Sequence, residues 1–189
     1  MIISLYIATG SSVYRHNGFP GDYNAYLAVD GFLSPGNSGF YHSHYEAYPW
    51  LKIDSMKADL SDFEPKEIKR VQVYQRCDAN ERYHPRSYEV RVNDGDPETI
   101  YAAPRLVGGK ICGTRTFQFG FGGTSFTIPC ATPISDAKEV WIQGTTLYSH
   151  GQGWPGYGSG QWNNWNGNSP AQNSNVPCNF LAINEVVLY

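Results

Sequence analysis

Apolar and polar residues alternate with a period of two along most of this chain. That alternation, or an enrichment in β-branched and aromatic residues, predicts strands over Leu51–Ile53, Val71–Tyr74, Tyr88–Val92, Phe117–Phe119, Ser125–Ile128, Glu139–Gln143 and Ala182–Leu188. No window sustains the repeat of an amphipathic helix, and the nearest stretch, Met56–Leu60, amounts to one turn. Turn residues punctuate the strands. Asn93-Asp94-Gly95-Asp96 tolerates positive φ and predicts a tight turn after Val92, while Gly108-Gly109 and Gly122-Gly123 break the chain in the same way. The pattern predicts an all-β fold, a sandwich or barrel of antiparallel strands.

One segment departs from this rhythm. From 145 to 178 the chain is rich in Gly, Asn and Ser, holds Trp154, Trp162 and Trp165, and has no charged residue. A connection of that length inside a domain is usually functional or disordered. Its aromatic faces, which must be buried or offered to a ligand, argue against disorder and leave open a ligand contact or a cap on the fold.

Composition narrows the function classes. The 189 residues carry 14 Lys+Arg against 17 Asp+Glu, a formal net charge of −3, which disfavours a nucleic-acid partner. Charged residues are only 16% of the chain, whereas there are 20 Gly, 12 Pro, 14 Tyr and 5 Trp, a composition of strands and turns rather than helices. The length suits a single domain over residues 1–189. No apolar run reaches the ~20 residues of a membrane span. The opening Met1–Ile7 is too short and lacks the basic start of a signal peptide, so the expectation is a mature or trimmed chain. Cys77, Cys112, Cys130 and Cys178 form no CxxC cluster, and two disulfides in an oxidising compartment are expected of them.

Two constellations can carry chemistry. Arg76-Cys77-Asp78 with Arg82 sets planar guanidinium donors beside a carboxylate at a strand end, a combination suited to the hydroxyl pairs of a sugar ring. Seven basic residues against four acids between Lys66 and Arg91 also favour an acidic or sulfated ligand. In His42-Ser43-His44, residues two apart in an extended segment share a side, so both imidazoles can meet one ligand; a transition metal would need a further ligand that no local pattern supplies. Nucleophile elbows, metalloprotease helices and phosphate-binding glycine loops are all missing. Asp30, Asp54, Asp78 and Glu185 leave a glycosidase pair open in principle, but an enzyme is not expected.

Several short stretches, in order along nearly the whole chain, resemble the F-type lectin (fucolectin) branch of the discoidin-like, F5/8 type C-like domains. They are Ile7–Ser11, Ala28-Val29-Asp30-Gly31, Pro49-Trp50-Leu51-Lys52-Ile53-Asp54, Val73–Asp78, the pair Cys112 and Cys130 with Pro133 after them, and the closing Asn184–Tyr189. The resemblance implies a jelly-roll β-sandwich with ligand loops at one end, a Cys112–Cys130 disulfide and a structural calcium ion. Cys77–Cys178 is then the remaining pairing, which would pin the tryptophan-rich loop beside Arg76 and Asp78. For the sugar, the resemblance assigns Arg76, Asp78, Arg82 and a histidine, with His42 and His44 both matching its position. For calcium it assigns Asp30 and Glu185 with carbonyls near Leu27, Phe32 and Asn184, in keeping with the six to eight oxygens a hard cation takes.

The sequence also departs from that family. Only Ala79, Asn80 and Glu81 separate Asp78 from Arg82, one residue fewer than the motif has. The family's adjacent cysteines are replaced by Ala79 and Asn80, so an apolar contact with the sugar must come from elsewhere, for which Trp154, Tyr157, Trp162 and Trp165 are the candidates.

The resemblance thus implies a secreted, non-enzymatic domain that binds fucose-like or related sugars on glycans or glycoproteins, as a homo-oligomer or part of a larger protein. Two other roles fit the same fold: a discoidin-type adhesion module for protein or membrane surfaces, and an accessory carbohydrate-binding module of a larger hydrolase.

Overall fold

The computed structural model describes residues 5–11, 13, 23–33, 39–43, 48–56, 66–75, 87–93, 108–117, 125–145 and 181–189. Among them are nine strands, β1 (Leu5–Gly10), β2 (Tyr41–His42), β3 (Trp50–Met56), β4 (Lys66–Gln75), β5 (Ser87–Val92), β6 (Lys110–Thr116), β7 (Ser125–Ala137), β8 (Glu139–Gly144) and β9 (Ala182–Leu188), and a 3-10 helix at Ala25–Ala28. They form a five-stranded sheet ordered β1-β3-β8-β5-β6 and a four-stranded sheet ordered β2-β9-β4-β7. Every pairing among the described residues is antiparallel. This is an all-β sandwich, one of the two architectures that the two-residue period allows and the one that the family resemblance implies.

Alternation along each strand builds the core between the sheets. Leu51 and Ile53 of β3, Val140 and Ile142 of β8, and Tyr88, Val90 and Val92 of β5 face Val71 and Val73 of β4, Phe126 and Ile128 of β7, and Ile183 of β9. Each aliphatic side chain enclosed there contributes about 1.5–3 kcal/mol. Cys112 on β6 and Cys130 on β7 form a disulfide, so a covalent bond joins the two sheets at their edge strands. Gly113 next to it has no room for a side chain, because a Cβ would overlap the Pro129 carbonyl.

The opposite parity behaves differently from expectation. Lys52, Trp141 and Arg91 are cross-strand neighbours on the outward face of the five-stranded sheet. In an open sheet that row faces water, yet Trp141, Gln143, Glu89 and Arg91 are all buried. The charges are therefore paired: Arg91 Nε donates to Glu89 Oε1 at 2.6 Å and Arg91 Nη1 to the Gly108 carbonyl at 2.6 Å, while Lys52 Nζ lies 3.5 Å from Asp54. Arg91 is thus removed from the basic group expected to draw an acidic ligand. Lys69 pairs with Glu67 at 2.9 Å, and Arg70 stacks on the Tyr189 ring; Arg76, Arg82 and Arg86 lie outside the described residues.

Some boundaries differ from the sequence reading. Phe117 follows β6 rather than opening a strand and packs against Tyr88 and Phe126. Asn93 does take positive φ (57°), but the hairpin partner of β5 starts only at Lys110, after Gly109 at φ 65°. The Asn93 side chain instead braces the β7–β8 corner, accepting from the amides of Lys138 and Glu139 and donating to the Asp136 carbonyl.

Candidate functional site

The pairing register gathers chain ends. β1, β2, β4, β6 and β8 finish, and β3, β5, β7 and β9 begin, at one end of the sandwich. The connections 43–49, 76–86 and 145–181 all leave from this rim. They carry His44; Arg76, Cys77, Asp78 and Arg82; and Trp154, Trp162, Trp165 and Cys178, residues that lie outside the described ones. Their anchors are cross-tied by hydrogen bonds: Ser43 N–H to the Leu181 carbonyl at 3.0 Å, Leu181 N–H to Ser43 Oγ at 3.0 Å, Thr145 N–H to the Ser87 carbonyl at 2.9 Å, and Gly144 N–H to the Pro49 carbonyl at 2.9 Å. A frame held this way fixes where each connection starts and stops.

At the foot of the 76–86 connection stands a polar pair that the sequence reading missed. Gln75, the last residue of β4, shares the inward parity of Val71 and Val73 and is fully buried. Its Nε2 donates to the hydroxyl of Tyr88, the second residue of β5, across the interior from one sheet to the other. The only signal for it in the sequence is a glutamine where the alternation calls for an apolar residue.

Of His42 and His44, only His42 lies among the described residues. His42 is buried, its ring packed against Tyr23 at 5.9 Å and Phe40 at 6.1 Å, with Nδ1 2.6 Å from the Ser43 carbonyl. An imidazole enclosed by two aromatic rings and bonded to backbone anchors β2 and does not present donors at the rim. Of the two histidines expected to compete for the sugar, His42 is thus the one packed into the fold, while His44 lies outside the described residues.

Asp30 and Glu185 do come together. In β9, Ile183 lies opposite Gln75 and Glu185 opposite Tyr74, so Asn184 is an extra residue in the ladder. Strict alternation from Ile183 would send Glu185 into the core. The bulge turns it outward toward the Asp30–Gly31 turn, a common use of such irregularities. There Glu185 Oε2 accepts the Gly31 N–H at 2.9 Å, and Asp30 Oδ1 accepts the Phe32 N–H at 2.9 Å. Gly31 needs its glycine, since its φ is +79°. Burial pushes the Glu185 carboxyl up to about 7, the Gly31 hydrogen bond opposes that, and the nearby Asp30 charge adds to it.

Leu27 sits in the 3-10 helix just before Asp30, Phe32 just after it, and Asn184 beside Glu185, so all five expected calcium ligands fall on two segments in contact. Among the described residues no group of three or more His, Cys, Asp or Glu clusters as a metal site. A cation here must draw on carbonyl oxygen as well as the two carboxylates, a donor set that suits a hard ion. Asp54 is elsewhere, on the outer face of the five-stranded sheet beside Lys52, so it makes no pair with Glu185.

No protein-family model matches the sequence, and no curated protein does. Solved structures match the fold. A fucolectin from striped bass (Morone saxatilis) serum superposes with a TM-score of 0.59 at 18% identity, over 97% of this chain and 46% of the lectin's, so the chain spans less than half of that protein's length. The family 32 carbohydrate-binding module of Clostridium perfringens NanJ, solved with galactose, gives 0.54 at 16% identity over 97% and 92% of the two chains. A fucose-binding module of Streptococcus pneumoniae gives 0.51 at 18% over 97% and 89%. The chain is similar to these proteins in fold, an antiparallel β-sandwich.

Proposed function

We propose that this chain is a non-catalytic carbohydrate-binding domain that takes a fucose- or galactose-like sugar at the rim, with Arg76, Asp78 and Arg82 as polar ligands and His44 as the histidine. The observation that carries this reading is topological. The register brings the connections holding every proposed sugar ligand to one end, over a hydrogen-bonded frame. Solved proteins of this fold include one with galactose bound and one named for fucose binding, which supports the substrate class. Guanidinium groups beside a carboxylate supply fixed donors and an acceptor for vicinal hydroxyls. Trp154, Trp162 and Trp165 would add an apolar face.

Calcium is proposed as a structural ion. Asp30 and Glu185 would hold it with carbonyls of Leu27, Phe32 and Asn184, and its charge would offset the repulsion between the two neighbouring carboxylates. The raised carboxyl of Glu185 is also a property of general acids. Glu185, however, is only 7% exposed and accepts the Gly31 amide, a setting that supports a structural role over proton transfer to a substrate. The Cys112–Cys130 disulfide favours an oxidising, secretory setting. Among the described residues no helix is long and apolar enough to cross a membrane. Assembly into oligomers, or membership of a larger protein such as a hydrolase, would raise the avidity of a weak site.

A glycan array probed with the wild-type chain and with Arg76→Ala tests the reading. Retention of fucosylated or galactosylated glycans, lost in the variant, is the expected result; no retention, or retention unaffected by Arg76→Ala, overturns it. One observation favours the adhesion alternative: Phe32 is 73% exposed beside exposed Leu33 and Tyr26. Flotation with liposomes, abolished by Phe32→Ser rather than Arg76→Ala, would support that role instead.

A further inference from the structure

We propose that Gln75 and Tyr88 are positioning residues for the rim site, a buried staple that sets the span of the 76–86 connection. The inference rests on the carbohydrate reading above and assigns a role to two residues that touch no ligand. Gln75 ends β4 immediately before Arg76, and Tyr88 follows the first residue of β5, so the two flank the connection at its feet. These feet stand on different sheets. No ladder hydrogen bond joins them, because among the described residues β4 pairs with β7 and β9, and β5 with β6 and β8. The bond from Gln75 Nε2 to Tyr88 Oη crosses that gap.

Chemistry argues that the pair serves more than packing. A fully buried carboxamide carries a desolvation cost that leucine at the same place would avoid. What the amide adds is direction: a bond with a fixed length and angle between two points of the frame. Tyr88 is held in turn by rings on a third strand, with Phe126 at 4.7 Å, so its hydroxyl is a rigid acceptor. The β9 bulge opposite Tyr74 and Gln75 lies beside the same foot. An arginine that reads sugar hydroxyls tolerates little displacement of its backbone, and the staple restricts that displacement.

The test compares Gln75→Leu, Tyr88→Phe and the double variant with wild type and Arg76→Ala. Three measurements are needed: titration with L-fucose and D-galactose, the thermal midpoint, and hydrogen exchange of peptides spanning 76–86. Each single variant is expected to weaken sugar binding by about tenfold, the size of one lost positioning hydrogen bond, and the double variant by no more than either single. Exchange over 76–86 is expected to rise in all three variants while core peptides of β3 and β8 stay protected. A lowered midpoint with unchanged sugar affinity and unchanged 76–86 exchange would show a purely structural pair and overturn the inference, leaving the Arg76 site standing. If wild type binds neither sugar, the carbohydrate reading fails; unchanged 76–86 exchange in the variants would then remove the staple as well, whereas faster exchange would retain it.

Discussion

Replacing Glu185 by glutamine should stabilise the calcium-free protein at neutral pH, the opposite of what most substitutions at buried charged positions do. The glutamine keeps the volume and an oxygen for the Gly31 amide but removes a charge that burial and Asp30 both disfavour. The folded-state value of the native carboxyl is raised from 4.5 to about 7. A carboxyl raised on folding binds more protons in the native than in the unfolded state between those values. Its stabilising contribution is therefore complete below 4.5 and is lost as pH rises through 7. At about 1.4 kcal/mol per pH unit, the shift corresponds to roughly 3 kcal/mol, or a thermal shift of roughly 6–12 °C for a chain of this size. Urea unfolding of wild type and Glu185→Gln at several pH values, with a chelator and again with millimolar calcium, reads this directly. With chelator, the variant should be more stable at pH 8, and the gap should close toward pH 4. With calcium, wild type should recover the difference while the variant gains little. A Glu185→Gln protein less stable than wild type at pH 8 in chelator, or a gap independent of pH, would refute the reasoning.

Three further outcomes follow from the packing. Gly10→Ala should cost about 1–3 kcal/mol in chemical denaturation, because a Cβ there overlaps the Tyr41 ring, whose hydroxyl is tied to the Trp50 carbonyl at 3.1 Å. Replacing Cys112 and Cys130 together by alanine should cost about 3 kcal/mol in the same assay, since the bond closes a loop of sequence separation 18 between opposite sheets. Arg91→Met should cost about 3–5 kcal/mol by removing one partner of the buried Arg91–Glu89 ion pair, and adding Glu89→Gln should recover much of it; a double variant as unstable as the single would contradict the pairing.

Much of the sandwich was legible in sequence because alternation and burial coincide in its central strands. β3, β5 and β8 lie at the places predicted, with Leu51, Val90 and Ile142 inward. The edges were harder to read. β6 buries only Cys112 among its seven residues, so its place is set by the ladder with β5 and by the disulfide, not by any periodic signal. β7 runs past Pro129 and Pro133 to Ala137, which an edge strand tolerates and a pattern search treats as a break. β2 has two residues. Of the site, the approach of Asp30 to Glu185 was reached through family resemblance alone, because the bulge at Asn184 that reverses the parity of Glu185 leaves no mark in the composition. The same limit applies to His42: spacing shows that two imidazoles can share a side, but not that Tyr23 and Phe40 pack against one of them.

The most direct test is a crystal structure of the chain grown with calcium and soaked with L-fucose or D-galactose. The expected result is a sugar at the β4–β5 end of the sandwich with the Arg76 guanidinium and the Asp78 carboxylate on its hydroxyls, and an ion between Asp30 and Glu185. Arg76 folded inward onto the protein's own groups, with the sugar absent from that end, would contradict the account.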